Sequence, residues 1–220
     1  MDTAMGELVN PSPSPPPRVL TLIAQELTPE AFLPYGQVVR PVADNANYGP
    51  DDAQLDLSRG VPRFYIMRLE GRSLKFGSIT HHANVTQCLG AVSGACWYLG
   101  VARASVVSDE AAVKGLEEIG TTDNAGLPSS EVDEKVQKNL TKSYAGHCYV
   151  PPSPDDVTVF RIDGPQFVKL HRGTWHVGPL FTVPMMDFYN LELSNTQPAD
   201  ETTHSFKSID GVTFEIHDHL

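Results

Sequence analysis

His171-Arg172-Gly173-Thr174-Trp175-His176-Val177-Gly178-Pro179 stands where the strand-like run Phe167–Leu170 ends. Two histidines flank a glycine and a tryptophan. Glycine permits a sharp turn that other residues resist, and a turn just before a strand can aim an imidazole inward. Imidazole serves as metal ligand, base or acid near neutral pH. Upstream, His81, His82 and Gln87 follow a second strand-like run that starts at Lys75. Two short histidine clusters at the ends of separate strands predict one site assembled in a β-barrel.

Outward from these clusters, strand signals dominate. Arg63–Leu69, Ala95–Ala102, Val157–Ile162, Met185–Leu193 and Val212–His217 are rich in β-branched and aromatic residues. Gly71, Gly90, Gly94, Asp163-Gly164, Gly178-Pro179 and Asp210-Gly211 punctuate them as turns. Many short strands with such turns predict an all-β sandwich or barrel. Thr28-Pro29 reads as an N-cap with proline at the first helical position, so a short helix is expected to about Pro34. Residues 108–144 break the pattern: the first part is polar and acidic and holds two helix-like stretches, 109–119 and 130–140. This segment reads as a partly helical surface insertion between strands. Five prolines lie between Pro11 and Pro17, so residues 1–19 read as a disordered proline-rich tail before one barrel domain over 20–220.

Composition narrows the function classes. With 220 residues, 40% hydrophobic and 20% charged, the chain can bury roughly 70% of its unfolded surface. A formal net charge of −11 disfavours nucleic acid, which needs a basic footprint, and anionic membrane surfaces. Cys88, Cys96 and Cys148 form no CxxC pair, their number is odd, and no secretory signal is legible near Met1. The expectation is reduced thiols in a cytoplasmic protein with no membrane span.

The turn through residues 83–86 lets His82 and Gln87 converge, although plain alternation would separate them. His81 and His82 point to opposite faces, so at most one is inside. Gly173 lets His171 and His176 face one cavity. Lys169 shares a face with His171 and is the nearest cation, a candidate partner for a substrate carboxylate. Trp175 is a candidate substrate contact, with core packing as the alternative. In the run Met185–Leu193, Asn190 and Glu192 share one face with Phe188; the pattern leaves open whether that face is inside. The chain has no GxGxxG, P-loop, GxSxG or HExxH motif.

The stretches HRGTWHVGPLF (171–181), LTPEAFLPYGQVV (27–39) and SITHHANVTQCLG (78–90), in this order, resemble the ureidoglycolate lyases, long called ureidoglycolate hydrolases. The resemblance covers roughly residues 27–193. It implies a cupin-type double-stranded β-helix barrel, usually dimeric, and cleavage of ureidoglycolate to glyoxylate and urea in ureide (allantoin) nitrogen catabolism. Under it, His171 and His176 are the expected catalytic groups. Lys169, Arg63 and Trp175 are the expected substrate contacts, Arg63 by way of the stretch 58–64. His82, Gln87 and His176 are the expected ligands of one divalent metal ion. Two positions depart from the pattern: Gln87, where metal-binding cupins usually carry glutamate, and Val177, where bacterial lyases tend to carry a second histidine. The resemblance leaves two alternatives open, another small-acid enzyme on the same barrel and a small-molecule-binding cupin without catalysis.

Overall fold

The computed structural model describes residues 15–107, 140–196 and 200–219. The strands in chain order begin with β1 (Arg18–Ile23), β2 (Gln25–Glu26), β3 (Gly36–Val39), β4 (Pro62–Glu70), β5 (Lys75–Phe76), β6 (Ile79–His82), β7 (Gln87–Ala91), β8 (Trp97–Ala102) and β9 (Val106–Val107). They continue with β10 (Thr141–Lys142), β11 (Cys148–Tyr149), β12 (Thr158–Ile162), β13 (Phe167–Leu170), β14 (Trp175–Leu180), β15 (Met185–Leu193), β16 (Glu201–His204) and β17 (Val212–His217). Short helices α1 (Pro29–Phe32) and α2 (Phe206–Ile209) interrupt them. The protein is mostly β. In α1 the Thr28 hydroxyl accepts from Ala31 N–H at 3.2 Å, the cap expected from the Thr-Pro pair.

Two large sheets carry the site. One runs β16-β6-β14-β8-β12-β2 and the other β3-β13-β7-β15-β4. Their inner faces share one apolar cluster: Leu89 and Ala91 of β7, Val168 and Leu170 of β13 and Phe188 of β15 meet Trp97, Leu99 and Val101 of β8 and Phe160 of β12. The Trp97 and Phe188 rings meet edge to face at 5.2 Å across the gap. The outer face of the six-stranded sheet holds a second cluster with Ile79, Trp175 and Tyr98, covered by Phe214 of β17, Phe76 of β5 and Tyr149 of β11. Each of these fully buried aromatics contributes about 1.5–3 kcal/mol from apolar area removed from water.

Several expectations shift at their edges. The tail expected over 1–19 gives way earlier, because Arg18 and Val19 already pair with Val212 and Thr213; residues 1–14 lie outside the described residues. The insertion expected over 108–144 overlaps β10, and both of its helix-like stretches fall, except for Leu140, on residues 108–139, outside the described residues. Gly178-Pro179, read as a turn, lies inside β14, where the pairing with β8 shifts between Val177 and Leu180. A register shift of this kind is where a strand tolerates proline. Helix α2 was not legible beforehand. Cys88, Cys96 and Cys148 are unbridged, and no helix among the described residues is long and apolar enough to cross a membrane.

Candidate functional site

Two corners of the chain, where it passes between the large sheets, meet at one end of the inter-sheet core. Residues 83–86 join β6 to β7, and residues 171–174 join β13 to β14. Gly173 N–H donates to the His82 carbonyl at 2.7 Å. Gly173 has φ +75°, and a Cβ there would lie 2.8 Å from Val106 Cγ2. Only glycine meets both demands without strain. Asp200 holds the first corner by accepting from Ala83 N–H (3.1 Å), Asn84 N–H (2.7 Å) and Asn84 Nδ2 (2.8 Å). Burial pushes the Asp200 carboxyl above its ordinary value, against the pull of these donors.

Register decides which histidines face inward. His176 lies opposite Val101 of β8 and Thr80 of β6, whereas Trp175 lies opposite Ala102. Paired residues share a face, so His176 joins the side on which Val101 meets the inter-sheet core. His82 follows Thr80 by two positions and takes the same side. The two rings stand 5.5 Å apart. His176 Nδ1 is 3.1 Å from the Thr174 carbonyl. A carbonyl only accepts, so Nδ1 carries the proton and Nε2 keeps its lone pair. Burial holds His176 below its ordinary pKa, and burial with the neighbouring His176 pushes His82 down to about 3. Both rings are neutral at pH 7. His82 Nδ1 is buried without a hydrogen bond from the described residues.

Beside them lies a network on β4, β7 and β15. Phe188 sits in the inter-sheet core, so Asn190 and Glu192, on the same face, point inward; the question the sequence left open is answered by register. Glu192 is 2% exposed. Its Oε2 accepts from Gln87 Nε2 and Asn190 Nδ2, both at 3.2 Å, and its Oε1 accepts from the Tyr65 hydroxyl at 3.3 Å. Arg63 Nη1 stands 3.6 Å from Oε1, and its guanidinium lies 3.7 Å over the Tyr65 ring. Asn190 Nδ2 also donates to the Tyr65 hydroxyl at 3.0 Å. Burial pushes the Tyr65 phenol above its ordinary pKa. The Arg63 side chain is half exposed. Tyr65 escaped the sequence reading, and Asn190 entered it only as a face-mate of Glu192. Their only signal was a spacing of two from Arg63 and Glu192 respectively.

Three expected site residues belong elsewhere. Lys169 lies opposite Gln37 and Cys88, on the face of its sheet away from Val168 and Leu170. Its Nζ is 3.2 Å from His171 Nδ1, and His171 Nε2 is 3.2 Å from the Leu33 carbonyl. His171 therefore does not line a cavity with His176. Strand alternation carries through Leu170, so Lys169, itself 4% exposed, and His171 take the face of their sheet opposite the inter-sheet core, and the chain turns only after them. Trp175 is fully buried on the outer face of the six-stranded sheet. It donates from Nε1 to Ser105 Oγ at 2.9 Å and meets His81 edge to face at 4.0 Å. It is a core residue, the alternative weighed for it. The structure thus sets His82 against His176, joins Gln87 and Arg63 through Glu192, and places His171, Lys169 and Trp175 on other faces.

Among the described residues no group of three or more His, Cys, Asp or Glu is placed to hold a metal ion. His82, with a buried unbonded Nδ1, and His176, with Nε2 left to donate its lone pair, fit two positions of a borderline divalent ion. Gln87 fits a third position less well: it offers only a neutral amide oxygen, and Glu192 beside it is engaged by four side chains. No known family model matches the chain, and no curated protein matches it.

Proposed function

We propose that this chain is a ureidoglycolate lyase-like enzyme on a cupin-type double-stranded β-helix, cleaving ureidoglycolate to glyoxylate and urea. Two sets of observations support the reading. The strand orders β6-β14-β8-β12 and β4-β15-β7-β13 follow the wiring of an eight-stranded jelly roll, the barrel to which cupins belong. The observation that carries the function is the inward pair His82 and His176, with ring centroids 5.5 Å apart; Arg63 meets the inward-facing Glu192. The resemblance adds a homodimer, and the unpaired cysteines fit a cytoplasmic location.

The substrate bears a carboxylate, a hydroxyl and a ureido nitrogen on one carbon. Cleavage removes the hydroxyl proton, makes the carbonyl of glyoxylate, breaks the carbon–nitrogen bond and places a proton on the departing urea nitrogen. One proton moves from oxygen to nitrogen, so a single imidazole can serve both transfers. His176 is built for this: the Thr174 carbonyl fixes its tautomer, and Nε2 takes the hydroxyl proton and returns it to nitrogen. Arg63 binds the carboxylate. The one free lone pair of His176 serves a proton or an ion and not both; were His82 and His176 to hold a divalent ion, that ion would supply a lower pKa for the substrate hydroxyl and the proton would need another carrier.

The test is incubation with ureidoglycolate, with and without Mn²⁺ or Zn²⁺, measuring glyoxylate and urea. Equal release of both supports the lyase. No release under any condition overturns it. A second reading, a binding protein for small acids, is favoured by one observation: burial holds His176, the proposed base, below its ordinary pKa, which weakens it as a proton acceptor. Glyoxylate binding without turnover would establish that reading.

A further inference from the structure

We propose that Gln87 recognises the ureido group, its Oε1 accepting a hydrogen bond from a substrate N–H. The proposal takes the identity of its ligand from the lyase reading above, and its test separates the two. Both amides of the network are oriented by Glu192. A carboxylate offers only acceptors, so the Asn190 and Gln87 amides must each turn nitrogen toward it. Asn190 Oδ1 then accepts from Gln87 Nε2 at 3.3 Å. Both amide hydrogens of Gln87 are committed, and a flip would set Oε1 against carboxylate oxygen. Gln87 Oε1 is left buried, with no donor among the described residues.

A buried acceptor without a donor is costly, and a ligand that supplies one gains accordingly. The same end of the barrel presents His176 Nε2, a second acceptor, and Arg63, a cation. Two acceptors and one cation complement a small carboxylate rich in N–H and O–H donors. A ureido acid has this pattern, and a keto acid of the same length lacks the N–H. Sites built to bond a substrate N–H discriminate strongly against analogues without it, because the buried partner stays unpaired. On this proposal Gln87 determines specificity and is not a metal ligand.

Two unreactive ligands isolate the effect. N-carbamoylglycine keeps the ureido group and carboxylate; 4-oxopentanoate has the same skeleton with CH₃ and CH₂ in place of NH₂ and NH. Affinities of both are measured by titration calorimetry for the wild type and for Gln87→Met, which keeps the side-chain length. We expect the wild type to prefer N-carbamoylglycine by about tenfold or more, and Gln87→Met to lose the preference while its affinity for 4-oxopentanoate is kept. Equal wild-type affinities overturn the proposal without needing a variant. If ureidoglycolate is still cleaved in that case, the lyase reading stands alone. A preference that persists in Gln87→Met overturns it too, as does Mn²⁺ or Zn²⁺ stoichiometry that falls in Gln87→Met, which would make Gln87 a ligand. Preference with loss in the variant, but no cleavage, upholds Gln87 and sinks the lyase. Binding of neither ligand overturns the Gln87 proposal and leaves the lyase reading to the cleavage assay.

Discussion

Gly173 N–H donates to the carbonyl of His82 at 2.7 Å, and this bond joins the two histidine corners of the chain directly. It links β6 to the turn that precedes β14, so the spacing of His82 and His176 depends on backbone and not on the two rings alone. The left-handed φ of Gly173 and its closeness to Val106 are the conditions for it.

Gly173→Ala should therefore cost about 1–3 kcal/mol of stability, from positive φ and a crowded Cβ together. Urea denaturation of the two proteins measures it. A loss below about 0.5 kcal/mol would show that the corner relaxes easily.

His176→Ala should lower turnover of ureidoglycolate by about 10²-fold or more, the scale for removing a general acid or base. His171→Ala should leave turnover within about threefold, since its ring contacts Lys169 and the Leu33 carbonyl on the other face. Steady-state kinetics on the pair of variants decides the matter. Equal losses would return His171 to the site.

Arg63→Ala should raise KM by about tenfold or more, the worth of a charged hydrogen bond to a carboxylate, with little change in thermal midpoint, because the side chain is half exposed. A drop in kcat at constant KM would place Arg63 in the proton transfer instead.

Acid should destabilise the fold above the range where most carboxylates titrate. Burial, with His147 as the next cause, pushes His81 down to about 3, and burial with His176 does the same to His82. Both values lie below the 6.5 of an ordinary imidazole, so the unfolded chain binds these protons first. The stability held by neutral His81 and His82 is complete above pH 6.5 and is lost as pH falls from there toward about 3. The slope approaches about 1.4 kcal/mol per pH unit for each residue. Denaturation midpoints at pH 7.5, 6.5 and 5.5 test this; a flat profile down to pH 5.5 contradicts it.

Much of the β character was legible. Val212–His217 and Met185–Leu193 are read with their observed bounds, because each is long enough to show its alternation between turns. Strands of two residues, such as β2 and β5, show no alternation, and they exist only because a neighbouring strand pairs with them. β7 (Gln87–Ala91) is short, and its Gly90 reads as a turn although it lies inside the strand. β14 hides Gly178-Pro179, which local chemistry assigns to a turn and pairing with β8 keeps in a strand.

The site divides in the same way. The sequence by itself determined that a turn separates His82 from Gln87, that His81 and His82 take opposite faces, and that Asn190 and Glu192 share a face; these follow from local geometry. Only the tertiary structure decided which face was inside. It placed Glu192 and His176 inward, and turned His171, Lys169 and Trp175 away. Alternation is relative: it says which residues lie together, and pairing with strands distant in the chain says which side meets the core.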